Sequence, residues 1–182
     1  MSAGASRVQV RKLRPEDDRT QFRSGDLELD RFFHRFAGQN QFRHHIGTTY
    51  VAVEDGALLG FATVAPSAIE VKALPAARRR GLPGYPLPVL RLARLAVDER
   101  AQGRGVGLLL LKATFLLART LASDFGCVGV VVDAKPGAVE FYARYGFEEF
   151  PVLAGALGDR PAPRTLFLEL GAIPATDEPP PP

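Results

Sequence analysis

The sequence predicts an α/β fold: one domain with a mixed central sheet of about six to seven strands and helices on its faces. Three observations lead there. At 182 residues the chain is as long as about one domain. Alternating apolar segments and segments of helical period follow one another in the order β-α-β-β-β-α-β-α-β-β. A glycine-rich turn between a strand and a long helix occupies the middle of that order.

Each element has its own reason. Val8, Val10 and Leu13, separated by polar residues, read as a short first strand. Asp26 follows Ser24-Gly25 and starts a helix in which Leu29, Phe32, Phe33 and Phe36 recur on one face. Asp26 and Glu28 in its first turn and Arg43 near its end suit the helix dipole, so this helix is expected to run to about residue 43. Strands over 48–55 and 60–71 follow, joined through Asp55-Gly56, a common hairpin pair. Residues 73–88 form a basic, proline-rich loop, and 90–97 a strand that alternates before becoming apolar.

A helix over about 105–124 carries Lys112, Arg119 and Ser123 on one side and is otherwise apolar, so it is expected to be mostly buried. Residues 127–134 read as a buried strand. Pro136 opens a helix that stops at Gly146. Residues 147–151 and 164–170 supply the last strands. The domain is expected over 7–170, with 1–6 and the proline-rich 171–182 disordered on either side.

Composition narrows the class. Hydrophobic residues at 46% and charged residues at 24% suit a globular domain and not a disordered chain. The single cysteine, Cys127, excludes an internal disulfide and a multi-thiolate zinc cluster, and points to a reducing, cytoplasmic setting. The most apolar segment, 106–121, is interrupted by Lys112 and Arg119, which argues against a membrane span. The amino terminus lacks the apolar core of a secretory signal. The net charge of +3 is spread unevenly, with 16 Lys+Arg against 11 Asp+Glu over 1–100 and 7 against 9 over 101–182. Arg78, Arg79 and Arg80 stand side by side in the basic part.

The chemistry concentrates in Val97-Asp98-Glu99-Arg100-Ala101-Gln102-Gly103-Arg104-Gly105-Val106-Gly107. Glycines let a backbone approach a ligand and aim N–H groups at it. The helix that follows adds the positive end of its dipole, which suits phosphate. Spacing eliminates two phosphate loops. A dinucleotide fingerprint needs a glycine at 108, where Leu108 stands, and no Gly-Lys-Ser/Thr of a P-loop occurs. On spacing alone, a plain helix-start turn without a ligand stays open.

Gln102-Gly103-Arg104-Gly105-Val106-Gly107 resembles the Q/R-x-x-G-x-G/A signature of the GNAT superfamily of acyl-CoA N-acetyltransferases, including its position after a strand ending Arg94-Leu95-Ala96-Val97. The resemblance implies a GNAT fold and acetyl-CoA (coenzyme A) as cofactor. It implies a pyrophosphate on the N–H groups of Gln102, Gly103, Arg104, Gly105, Val106 and Gly107, and a pantetheine arm paired with Leu95, Ala96 and Val97. Phe141-Tyr142-Ala143-Arg144-Tyr145-Gly146-Phe147 looks like the family's FYxxxGF element, which implies Tyr142 as general acid. A phenol at pKa ~10 and a thiol at ~8.5 are close enough for the phenol to protonate a leaving thiolate. The alternative for Tyr142 is a core tyrosine of an amphipathic helix. An α-amino group with pKa ~8 is partly neutral at pH 7, so no strong base is demanded. His34, His44, His45, Glu70 and Glu140 are base candidates by chemistry alone.

A narrower resemblance covers most of residues 20–150. Phe22-Arg23-Ser24-Gly25, then Leu29-Asp30-Arg31-Phe32-Phe33 and Ala37, is similar to the front end of the GNAT toxins of toxin–antitoxin modules. So is Pro86-Leu87-Pro88-Val89-Leu90 with the RLAVDERAQGRGVG segment after it. That group acetylates the α-amino group of aminoacyl-tRNA, blocks translation and is neutralised by a ribbon-helix-helix antitoxin. Arg78, Arg79 and Arg80 are then expected to contact tRNA phosphates, against the alternative of a solvated charge run. Lys112-Ala113 departs from the acidic-alanine pair common in the group, and the resemblance does not explain the proline-rich tail. Two other functions stay open: an acetyltransferase for a small-molecule amine or a protein amino group, and a non-catalytic CoA-binding module. No metal and no membrane enter the expected chemistry, and a homodimer stays open.

Overall fold

The computed structural model describes residues 7–150 and 164–173. Its strands are β1 Gln9–Lys12, β2 Thr48–Glu54, β3 Ala57–Ile69, β4 Leu87–Val97, β5 Gly129–Ala134, β6 Glu148–Glu149 and β7 Arg164–Glu169. They form one mixed sheet in the order β1-β2-β3-β4-β5-β7-β6. The α-helices are α1 Leu27–Arg35, α2 Ala76–Arg79, α3 Val106–Asp124 and α4 Val139–Arg144. Backbone contacts group the chain into two compact units, Met1–Ala65 with Ala93–Thr114, and Pro66–Leu92 with Phe115–Pro182.

In the first unit β1, β2 and β3 form an antiparallel ladder, with Arg11 opposite Val51 and Val51 opposite Phe61. Asp55 and Gly56, both at positive φ, make the tight hairpin that the pair predicts. The Asp26 carboxylate caps α1, accepting from the N–H groups of Glu28 and Leu29 at 3.0 and 3.1 Å. The helix buries Phe32 and Phe33. Phe33 stacks on Phe61 with centroids 4.3 Å apart, and Phe22 meets both rings edge-on.

The first helix is shorter than its periodicity predicts. It stops at Arg35, and the chain rewinds into a π-helical turn, Gln39–His44, that ends at left-handed His45. Two tertiary contacts account for the break. The Arg19 guanidinium lies against Gly38 so closely that a Cβ there would come 2.8 Å from Nη1. Gln41 donates to the Leu13 carbonyl at 3.1 Å and accepts the Thr49 N–H at 2.8 Å, tying the turn to β1 and β2.

In the second unit β4 pairs in parallel with β5 over Leu90–Leu92, β5 runs antiparallel to β7 with Val131 opposite Phe167, and β6 adds to β7. Ile69, Leu87, Val89, Val131, Phe150 and Phe167 form its core with Leu74. The expected loop over 73–88 contains α2 and buries Leu74 at its start. The structure continues three residues past the expected boundary at 170, through a 3₁₀ turn at Leu170–Ala172 to the buried Ile173. The segments expected as a disordered 1–6, the end of the strand over 147–151 and the tail from 174 onward lie outside the described residues.

By length and composition α3 passes for a membrane span, at mean hydropathy 1.6. Its buried residues Val106, Leu110, Leu111, Thr114, Phe115 and Ala118 instead form the single stripe of a helix packed on one side. It is less buried than its composition predicts: Leu109 and Leu116, 37% and 54% exposed, share the outer side with Lys112 and Arg119. A straight helix covers a sheet with one stripe only, however apolar its other side.

Of the described glycines in the second unit, Gly129 is the most closely packed. A Cβ there would collide with the carbonyl oxygen of Leu168 and lie 2.6 Å from the Phe167 ring. Gly129→Ala is expected to cost about 1–3 kcal/mol by overpacking. Gly137→Ala, where nothing lies within 4 Å of the new Cβ, is expected to cost far less. Urea denaturation midpoints of the two variants check this, and equal midpoints would contradict the packing described.

Candidate active site

The glycine turn is built around a buried carboxylate. Asp98, at the end of β4, is 1% exposed. Its side chain accepts from the N–H of Arg23 at 3.1 Å and the N–H of Arg100 at 3.0 Å, and from the Arg100 guanidinium at 2.8 and 3.0 Å. Its own N–H donates to the Leu59 carbonyl, and the Glu99 N–H to the Arg23 carbonyl, each at 2.8 Å. Burial pushes the Asp98 carboxyl up, but these donors more than offset it and leave it below the ordinary carboxylate range. The segment Arg23–Ser24 and the start of the turn are thus one hydrogen-bonded piece. Gln102 extends it, its amide donating to Ser24 and Val97 carbonyls at 2.9 and 3.2 Å.

After a 3₁₀ turn at Glu99–Ala101 the backbone is left-handed at Gly103 (φ 78°) and Gly105 (φ 79°), and α3 starts at Val106. Open space lies over both glycines: a Cβ at either would meet nothing within 4 Å. The first N–H groups of a helix have no intrahelical acceptor, so those at the start of α3 are available to an anion. Close packing fixes their position. A Cβ on Gly60 would lie 3.0 Å from the Ala96 carbonyl oxygen, Val106 and Leu110, so the first turns of α3 rest directly on β3. Arg104 does not face the turn as a free cation, because its guanidinium is bound to Glu54 at 2.8 and 2.9 Å. Glycines without Cβ, a helix start and open space fit a pyrophosphate. Of the strand residues expected beside the pantetheine arm, Ala96 is buried and Leu95 and Val97 are partly exposed.

Tyr142 lies on α4 in the second unit. It is 5% exposed, with Phe141 and Phe147 edge-on at 5.1 and 5.4 Å. Burial pushes its phenol well above the ordinary tyrosine range, so it stays protonated at neutral pH and keeps an O–H to donate. The three adjacent arginines are not a free cluster. Arg78 pairs with Glu148 at 3.1 Å and Glu169 at 3.8 Å, and the Arg79 Nε donates to the Leu74 carbonyl at 2.7 Å. Arg80 is exposed just after α2. Among the base candidates, His34 places Nε2 2.9 Å from the Phe22 carbonyl and 3.3 Å from Nη1 of Arg23. His44, His45, Glu70 and Glu140 are exposed.

The sequence reading missed a second basic surface, a groove along α1 lined by Arg23, Leu27, Asp30, Arg31, His34 and Arg35. It also gave Asp98 no role. The signal was present: an aspartate directly after an apolar strand, two residues ahead of a residue whose N–H it takes, is an Asx-turn pattern.

Comparison with known proteins gives the family. The acetyltransferase (GNAT) domain model matches residues 45–149, and the chain belongs to that family of acetyltransferases. It is 33% identical to a tRNA-acetylating toxin of Mycobacterium tuberculosis over 142 residues, 78% of this chain and 84% of the relative. AtaT complexed with acetyl-methionyl-tRNAfMet superposes with a TM-score of 0.79 at 23% identity, over 91% of this chain and 96% of that one. A tyrosine-to-phenylalanine variant of the AtaT toxin, bound to the C-terminus of the antitoxin AtaR and acetyl-CoA, superposes at 0.72 and 22%, over 91% and 95%. At those identities the solved structures establish the fold.

Asp98 gives a test of how the turn is held. Its folded-state pKa is depressed, so its contribution is complete above the unfolded value of ~3.9 and is lost as pH falls through the lower folded value. Asp98→Ala leaves the N–H groups of Arg23 and Arg100 without their acceptor and is expected to cost about 1–3 kcal/mol at pH 7. Its ion pair alone contributes little, because Arg100 is largely exposed. Urea unfolding between pH 7 and pH 2.5 should therefore show a shallower acid limb for Asp98→Ala than for wild type; parallel limbs would refute the role.

Proposed function

We propose that this acetyltransferase moves the acetyl group of acetyl-CoA to the α-amino group of aminoacyl-tRNA. It would thereby act in the cytoplasm as a translation-blocking toxin restrained by a ribbon-helix-helix antitoxin. The observation that carries the acceptor is the 33% identity to a tRNA-acetylating toxin over 78% of the chain. The cofactor reading rests on the open glycine turn at the start of α3, whose N–H groups suit a pyrophosphate. Acetyl-CoA supplies the thioester carbonyl. The amine nitrogen forms the amide bond as the carbon–sulfur bond breaks, the nitrogen gives up a proton, and the leaving sulfur takes one.

Tyr142 is assigned that second proton transfer. Its support is the FYxxxGF element; burial keeps the phenol protonated but also makes it a weaker acid than a free phenol. Arg78, Arg79 and Arg80 are assigned contacts to tRNA phosphates. Arg80 is exposed and pairs with no carboxylate among the described residues, and the groups of Arg78 and Arg79 left outside their internal bonds add to it. Within the first unit, the α1 groove carries Arg23, Arg31 and Arg35, cations that a polyanion rewards.

Acetyl-CoA at ~100 times its dissociation constant should stabilise the protein by about 2.7 kcal/mol, read as a raised Tm. Gly105→Glu should abolish that shift, because it puts bulk and like charge where φ is positive and the space is open. Tyr142→Phe should keep the shift and lower turnover about 10²–10⁴-fold. Wild-type turnover should show no loss from tyrosine ionisation below pH ~10. Unchanged turnover in Tyr142→Phe would return Tyr142 to packing.

Charged tRNA should be acetylated at its amino group, identified by product mass, with affinity falling steeply as salt rises. Replacing Arg78, Arg79 and Arg80 together should raise KM for tRNA and flatten the salt slope. A wild-type enzyme that acetylates polyamines or peptides and ignores charged tRNA at low salt would overturn the acceptor assignment.

A further inference from the structure

Arg94 differs from Arg11 on β1 and from Arg100 and Arg104 of the turn. Arg11, Arg100 and Arg104 each meet a carboxylate, at 2.7, 2.8 and 2.8 Å. Arg94 sits on β4 directly before Leu95, is half-buried, and carries its guanidinium carbon 3.8 Å from the centroid of the Phe32 ring. Among the described residues no carbonyl or carboxylate accepts a hydrogen bond from it, so within them its N–H donors are unused. Burial pushes its pKa down, and Glu28, one turn ahead of Phe32 on α1, supports the charge electrostatically.

The seat is rigid. Phe32 is 6% exposed, shares the core of the first unit with Ala96 and stacks on Phe61 at 6.2 Å. A guanidinium over an aromatic face is held by cation–π attraction while its edge stays free. A partly desolvated cation with a fixed orientation and open donors is matched to a planar or tetrahedral anion that it can bind by two parallel hydrogen bonds.

We infer that Arg94 is an acceptor-binding residue, whose guanidinium on the Phe32 ring grips the phosphate joining the terminal nucleotide of charged tRNA to the one before it. This rests on the reading of aminoacyl-tRNA as acceptor. The choice of group follows from the chemistry of that substrate. Its amino acid is an ester and offers no carboxylate, so the anion nearest the reacting amine is the terminal phosphodiester. The choice of residue follows from its place in the chain, one position before the strand segment assigned to the cofactor arm.

The test uses two small acceptors carrying the amino acid found with intact tRNA: an aminoacyl-CpA dinucleotide, which has the phosphodiester, and the matching aminoacyl-adenosine, which lacks it. Wild-type protein should prefer the dinucleotide in kcat/KM. Arg94→Met should reduce that preference about tenfold or more, through KM for the dinucleotide, the size of one lost charge-assisted pair of hydrogen bonds. Arg94→Lys, which keeps the charge and loses the fork, should retain part of it. The acetyl-CoA-induced Tm shift of both variants reports folding and cofactor binding separately.

If both variants lose activity on the two acceptors in equal proportion, or keep the full preference, Arg94 only covers Phe32 and the inference falls while the acceptor reading stands. If wild-type protein acetylates neither acceptor nor charged tRNA, the acceptor reading itself falls, and this inference with it.

Discussion

A carboxylate taken out of water has to be met by donors or it unfolds what surrounds it. Asp98 meets this demand with two backbone N–H groups and a guanidinium, drawn from Arg23 on one side and Arg100 on the other. Those bonds set the chain direction after β4. They bring the segment before α1 against the turn, where Gln102 adds its amide to the Ser24 carbonyl. The left-handed torsions of Gly103 and Gly105 then deliver the chain to the start of α3. Without a buried acceptor at residue 98, nothing in the glycines themselves would choose this path among the many they allow.

The position of that helix start is a packing result. Gly60 on β3 leaves room for Val106 and Leu110, and any side chain there would lift the helix off the strand. A phosphate held at the turn would therefore meet backbone N–H groups and the helix dipole, worth roughly half an elementary charge at the N-terminus. The nearest side-chain cation, Arg104, is already bound to Glu54. Backbone donors cannot swing away as a side chain can, so the site is organised before any ligand arrives.

Two polar groups are placed with little compensation from the fold. The phenol of Tyr142 is buried among Phe141 and Phe147, and the guanidinium of Arg94 lies on Phe32. Both settings disfavour ionisation, yet the consequences differ. The phenol becomes a permanent donor, whereas the guanidinium stays charged at any physiological pH and keeps its need for an anion. Local settings that stability alone would not select are where function is expected to show.

Much of this was legible in the amino-acid order. The strand and helix periods, the Asp26 cap and the Asp55-Gly56 hairpin are local properties, decided within a few residues, and they appear where the sequence puts them. The glycine turn was legible because its spacing and its place between a strand and a helix are also local. Contacts between distant segments were not. The end of α1 at Arg35 depends on Arg19 against Gly38 and on Gln41 reaching Leu13 and Thr49, none of which a helical period encodes. The arginines at 78–80 read as a free charge run until tertiary structure paired Arg78 with Glu148 and Glu169 from far along the chain. The sequence by itself determined which elements form and where the glycine turn lies between a strand and a helix, because torsional preference and periodicity act over short range. Only the tertiary structure decided which charges are spent on the fold and which, like Arg94, are left over, because a side chain's partners are set by residues the sequence keeps far apart.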